Sequence, residues 1–224
     1  GAWLLANVRG QDPREAIRRS RHAVAHRFHL LHDLEANGFM IAIAIASRTR
    51  EGEGLYHWVG EWGCRETYRA RRAAFVPDGW GQYLSPSAEV VFLLEWDRGT
   101  ESPQRIGVKA SQYITYFGGR RDAHLSNVLF VVGNTSREEA VREAVSAQLR
   151  SPSASCCGFW TTNHQILRSH GPLGAIWLNV RSSPSAPRLQ LADLPARARS
   201  AKNAGDCIGK PQWWMRRPGG GERA

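Results

Sequence analysis

Apolar residues crowd the stretch from residue 30 to 49, where Leu30, Leu31, Leu34, Phe39, Ile41, Ile43 and Ile45 recur with alanines between the last of them. The run Ile41-Ala42-Ile43-Ala44-Ile45 alternates as a strand would. Its length, and the helix-favouring Asp33-Leu34-Glu35-Ala36 before it, predict a helix instead. Upstream, Gln11-Asp12-Pro13-Arg14-Glu15 sets Asp before Pro in the manner of a helix start. Three short strands follow: Leu55–Val59 after the Gly-rich turn Glu51-Gly52-Glu53-Gly54, then Phe75–Leu84, then Val90–Trp96 beyond a turn at Pro86-Ser87. Thr100 to Phe117 reads as a helix capped by Thr100 or Ser102, with Pro103 in its first turn. Val128–Val132 is wholly apolar and predicts a strand buried on both faces. Ser136-Arg137-Glu138-Glu139 has a capping-box pattern and opens a helix to about Leu149. Gly158–Thr162 reads as a last strand and residues 163–170 as a short helix.

Beyond Arg181 the pattern fades. Pro184, Pro187 and Pro195 interrupt a Ser/Ala/Arg-rich stretch, and Pro218-Gly219-Gly220-Gly221 is linker-like. The expected organisation is a helical lead-in over residues 1–25, an α/β domain over 26–180 and a basic, flexible tail over 181–224. Three strands in succession can form a meander, and two more that alternate with helices must join by crossovers. That α-β-β-β-α-β order is the arrangement of the restriction-endonuclease-like core, a mixed sheet flanked by helices.

Composition narrows the function. A chain of 224 residues with 42% hydrophobic content can bury one sizeable core. A net charge of +10 and an isoelectric point near 10.2 point to a polyanionic partner, DNA first. An acidic membrane surface is set aside, since no amphipathic anchor is evident. The apolar run Phe39–Ala46 is too short to span a bilayer, and Gly1–Leu5 has neither the basic flank nor the apolar run of a signal peptide. Cys64, Cys156, Cys157 and Cys207 show no CxxC pairing, which fits a reducing, cytoplasmic setting and gives no structural zinc site. The basic run Arg18-Arg19-Ser20-Arg21-His22 is either a solvated helix face or a phosphate contact. His22, His26, His29 and His32 fall near one helix face, but they lack accompanying acids and read as structural. The tryptophans, among them Trp58, Trp62, Trp80, Trp96 and Trp160, are expected as core or strand-face anchors. Trp213-Trp214 in the tail can stack on bases.

The chemistry concentrates in the second and third strands. Pro77-Asp78 is followed by Glu95-Trp96-Asp97, and Glu95 and Asp97, two apart on a strand, share a face. Acids ending so apolar a strand are costly unless paired or metal-bound. If the strand bearing Asp78 is adjacent, Asp78, Glu95 and Asp97 form a hard-oxygen site suited to Mg²⁺ or Mn²⁺, able to hold a phosphodiester oxygen and activate water. The plainer reading is turn chemistry, in Asp97-Arg98-Gly99-Thr100 and in Asp78-Gly79. Lys109 lies about two turns into the next helix, where it would orient water or offset charge on phosphate; otherwise it is a surface lysine. Tyr113 is one turn further on the same face. Tyr113 and Tyr116 are expected to pack that helix on the sheet.

The segments Phe75-Val76-Pro77-Asp78-Gly79 and Phe92–Glu101, with Lys109 and Tyr113, resemble the replication-relaxation family of plasmids and integrative elements. His26-Arg27-Phe28-His29-Leu30, Trp58 with Glu61, and Gly171-Pro172-Leu173-Gly174 with Trp177 fit the same pattern, over roughly residues 20 to 180. The resemblance implies a PD-(D/E)xK-like nuclease domain with Asp78 and Glu95 at its acidic positions. It further implies DNA, and other replication or relaxation proteins, as partners. The usual motif has Lys two residues after the acid; Asp97 stands there, so Lys109 would be a relocated lysine. Two functions follow: a metal-dependent nuclease-like enzyme, or a non-cleaving module that binds DNA or a partner.

Overall fold

The computed structural model describes residues 13–118, 126–149 and 157–198, with side chains from Leu30 onward. They fall into two compact units, one ending at Glu35 and one beginning at Ala36. Helix α1 spans Pro13–Ala46 and is followed by a 3₁₀ turn, Ser47–Thr49. In the first unit Leu30, Leu31 and Leu34 are exposed, and His32 Nδ1 lies 3.8 Å from Asp33. The side chains of His22, His26 and His29, and of the Arg18–His22 run, lie outside the described residues.

In the second unit Ala36, Phe39, Met40 and Ile43 are buried at helical spacing. The apolar stretch is longer than the eight residues the pattern suggests. Leu30–Thr49 is long and apolar enough, by length and composition alone, to cross a membrane. Phe39, Met40 and Ile43, however, belong to the protein's own core.

A seven-stranded sheet carries the fold, in the order β1-β2-β3-β4-β5-β6, with β7 also on β3. Its strands are β1 (Gly54–Gly60), β2 (Gly79–Leu84), β3 (Ala88–Asp97), β4 (Ser126–Val132), β5 (Gly158–Asn163), β6 (Leu178–Asn179) and β7 (Arg197–Ala198). The first three are an antiparallel meander. β4 and β5 add in parallel to β3, each behind a helix: α3 (Pro103–Phe117) and α4 (Thr135–Gln148). The α/β class, the mixed sheet and the meander-then-crossover order are those read from the pattern. Ser102 accepts a hydrogen bond from Arg105 N and caps α3. Asn134 caps α4, two residues ahead of the expected Ser136.

Two elements depart from expectation. Helix α2 (Glu61–Ala70) stands between β1 and β2, where the pattern predicts no helix. Only Cys64 and Tyr68 point inward from it, and Gly63 lets it close on β1: a Cβ there would meet Val59 Cγ1 at 2.4 Å. The second strand begins at Gly79 rather than Phe75, because Pro77 has no N–H to give the ladder. One further bond, Asp78 N to Leu94 O at 3.0 Å, prolongs the pairing.

Residues 181–198 are not a featureless tail. Trp177 and Leu189 form a β-bridge, Leu191–Asp193 is a 3₁₀ turn, and β7 pairs with the start of β3. Asn127 Nδ2 donates to Pro195 O at 2.9 Å and ties the segment to β4. The short helix α5 (His164–His170) matches the expected one and ends at Gly171, whose φ of 72° a side chain would strain. Leu173 and Trp177 are buried just beyond. One apolar cluster lies under α2, α3 and α4; the other lies under α1 and the C-terminal segment. Cys64 and Cys157 are buried and form no disulfide, while Cys156, Cys207 and Trp213-Trp214 lie outside the described residues.

Candidate functional site

The register of β2 on β3 fixes the site. Gly79 pairs with Leu94, so the residue before it, Asp78, stands opposite Glu95 across the strands. Directly opposed side chains share a face, and two carboxylates so placed repel each other. Glu95 is also on the face of Leu93, which α3 covers.

From α3, Lys109 Nζ and Tyr113 OH, one helical turn apart, both donate to Glu95, to Oε2 and Oε1 respectively. Asp78 Oδ2 accepts from Trp96 N at 2.7 Å, which orients its carboxylate beside the strand. Asp78, Glu95 and Lys109 therefore come together at the junction of β2, β3 and α3, and Tyr113 joins them. The sequence pattern gives Tyr113 to packing. It does pack, with Phe75 at 4.0 Å between ring centroids, but its hydroxyl belongs to the acid cluster.

Electrostatics set this cluster apart. Burial pushes Glu95 up to about 7; Lys109 opposes the shift, and the neighbouring Asp78 adds to it. Burial acts to lower Lys109, but the Glu95 and Asp78 carboxylates outweigh it and hold the ammonium charged. Tyr113 is raised by burial and by Glu95, so its hydroxyl stays a donor. Cys64, on the inward face of α2, is pushed up to about 12 by burial and then by Asp78 and Glu95, an unreactive thiol.

Asp97 is engaged by an arginine from the next helix. Arg137, at the start of α4, donates from Nε to Asp97 Oδ2 at 2.5 Å and from Nη2 to Oδ1 at 3.0 Å. Arg137 Nη2 also reaches Glu101 O at 2.6 Å. Gly99 N donates to Asp97 Oδ1 at 3.1 Å, the turn hydrogen bond that Asp97-Arg98-Gly99 suggests. This bidentate pair closes the β3–α3 loop, and both Asp97 oxygens are engaged by it. No sequence spacing flags Arg137; it arrives because β3 and β4 run parallel with Asp97 beside Val132, and α4 starts just past that point.

Asp78 and Glu95 are hard-oxygen donors on adjacent strands, and their mutual repulsion is what a small divalent cation relieves. These are the two residues that could hold an ion of the Mg²⁺ or Mn²⁺ class. Trp62, expected as an anchor, is not one: it is 76% exposed on α2. Trp96 and Trp160 are buried as expected, and Trp58 and Trp80 are partly so.

A comparison with curated proteins finds no match. A model of a protein family, described as replication-relaxation, matches residues 1–132, a span that includes Asp78, Glu95, Asp97, Lys109 and Tyr113. That match takes in more than half of the 224 residues, and the chain belongs to the replication-relaxation family.

Proposed function

We propose that the protein cleaves or nicks DNA during the replication or relaxation of a plasmid or other mobile element, using a PD-(D/E)xK-like centre. The family ties the chain to such replication or relaxation. The finer reading rests on one observation: Asp78, Glu95 and Lys109 meet on one sheet face. The meander followed by parallel crossovers is the order expected of a restriction-endonuclease-like core and supports this reading. Asp78 and Glu95 would hold a Mg²⁺ or Mn²⁺ ion, which when bound supplies Lewis acidity at a phosphodiester oxygen.

The chain's own groups do the rest. Lys109 carries a fixed positive charge on a helix and faces negative charge that develops on phosphate as the ester bond breaks. Tyr113 fixes the Glu95 rotamer by holding one of its oxygens. The basic charge draws DNA to the protein. DNA is the partner we propose, with other replication or relaxation proteins beside it, in the reducing cytoplasm.

The test is conversion of supercoiled plasmid to open circle with Mn²⁺. Wild type is expected to nick, and Glu95→Gln and Asp78→Asn to lose at least about a hundredfold in rate while binding plasmid as before. Equal nicking by Glu95→Gln removes the assignment.

A second reading has its own support. Asp97 occupies the place of the usual lysine and is engaged by Arg137. A module that binds DNA without cutting it would show wild-type binding and no Mn²⁺-dependent nicking.

A further inference from the structure

Trp62 is 76% exposed, although indoles ordinarily bury most of their large apolar area. It sits in the first turn of α2, whose inward face is Cys64 and Tyr68. With about 3.6 residues per turn, Arg65 and Arg69 fall on the outward face with Trp62, one and two turns along, and both are exposed. Glu66 shares that face, and Arg65 pairs with Glu61 one turn back. Arg72 closes the helix in the left-handed region, at φ 54°, where glycine would sit without strain. Residues 61–72 hold four arginines against two glutamates.

This face has two chemistries at once. An indole in water offers a flat apolar surface, and the guanidinium groups around it favour a polyanion over an apolar protein face. We propose that the outward face of α2 holds single-stranded DNA, with Trp62 stacked on a base and Arg65, Arg69 and Arg72 on the flanking phosphates. Single strands are favoured because an indole on a helix surface reaches a base's π-face only where the base is unpaired and unstacked. The helix is also close to the acid cluster, since Cys64, on its inner side, lies near enough to feel both Asp78 and Glu95. The acid cluster thus lies on the inner side of the same helix whose outer face would hold the strand. This inference rests on the proposed cleavage centre only for what happens to the strand next, since holding it needs no chemistry.

The experiment uses the whole chain, a fluorescein-labelled oligothymidylate and EDTA, with fluorescence anisotropy as readout. Trp62→Ala is expected to bind about tenfold more weakly at an unchanged thermal midpoint, and Trp62→Phe to recover part of the loss. Arg65→Gln and Arg69→Gln are expected to reduce the salt slope by roughly 0.7 for each phosphate no longer neutralised. Arg72→Gly is expected to raise the thermal midpoint, by relieving the left-handed arginine, while weakening binding. Wild-type affinity in Trp62→Ala overturns the proposal. So does an equal loss on blunt duplex DNA. A drop in molar mass of Trp62→Ala by light scattering also overturns it, because a second copy would then cover the face.

Nicking in Mn²⁺ separates the two readings. Nicking abolished by Glu95→Gln together with binding insensitive to Trp62→Ala sinks the α2 surface and leaves the centre. Trp62-dependent binding by a wild type that never nicks sinks the centre and leaves the α2 surface.

Discussion

Glu95 and Glu138 are each 3% exposed, and both lie between the sheet and the helices α3 and α4, yet they are held in opposite ways. Glu138 comes down from α4 and is saturated. Thr161 Oγ1 donates to it at 2.8 Å and Asn163 Nδ2 at 2.7 Å, and Arg188 grips both oxygens with Nη1 and Nη2 at 2.9 and 3.1 Å. Arg188 also donates to Thr161 O and Ile176 O, so the C-terminal segment is pinned to β5. Glu95 has a single lysine, one tyrosine and a second carboxylate opposite. A rigid arginine fork on a lone acid builds structure. Two acids sharing one ammonium leave negative charge unbalanced, and that imbalance is what a cation can exploit.

The two acids should differ most when Glu138 is removed. Glu138→Ala leaves Arg188 and two side-chain donors buried without their acceptor, and the expected loss is about 3–5 kcal/mol. The thermal midpoint should fall by about 10 °C. Glu95→Gln should cost clearly less, because Asp78 still faces Lys109. Thermal unfolding of both variants decides this, and a smaller loss at Glu138 than at Glu95 would reverse the two roles.

A pH series sharpens the same contrast. Glu95 in the fold is raised above its ordinary value, from 4.5 to about 7. The fold thus favours the protonated carboxyl, and its contribution is complete below about pH 4.5 and is lost as pH rises through about 7. At most ~3 kcal/mol is involved. Lys109, raised by its carboxylates, contributes below its ordinary value and loses that contribution only far above this window. In EDTA, wild type should lose stability between pH 5 and 8 more steeply than Glu95→Gln. Parallel curves would show that Glu95 does not titrate there.

Asp97 tests whether the second acid of β3 belongs with Glu95 or with the structural group. Asp97→Ala strips Arg137 of its partner and should cost about 2 kcal/mol, read by urea unfolding, with Mn²⁺-dependent nicking retained. Loss of nicking as deep as in Glu95→Gln would return Asp97 to the metal site that its spacing suggests.

Local signals make the strands, the helices α3 and α4 and the Glu95–Lys109 pair legible in the chain. Val128–Val132 is too apolar for any place but a central strand, and acids closing the apolar Val90–Leu94 run have to meet something. Long-range partners hide the rest. Residues 181–198 look disordered until Arg188 meets Glu138, Arg142 donates to Ser182 O and Asn127 holds Pro195 O. Helix α2 has ten residues and only two inward side chains, so few apolar positions mark it. For the same reason Trp62, one indole among nine in the chain, gives no sign that it faces water.

The smallest expected effect is the most discriminating. Tyr113→Phe removes the hydroxyl that holds Glu95 and keeps the ring that packs on Phe75. Packing alone predicts little change, while loss of the hydrogen bond predicts about 1 kcal/mol. That hydrogen bond favours the Glu95 carboxylate, so without it Glu95 binds its proton more tightly. The pH at which stability is lost should therefore move upward in Tyr113→Phe relative to wild type, as read from thermal midpoints across pH 5 to 9 in EDTA. A midpoint that stays put would reduce Tyr113 to packing. A downward move would mean that its hydroxyl serves the protonated acid, and that Glu95 is held ready to donate a proton and not to receive a cation.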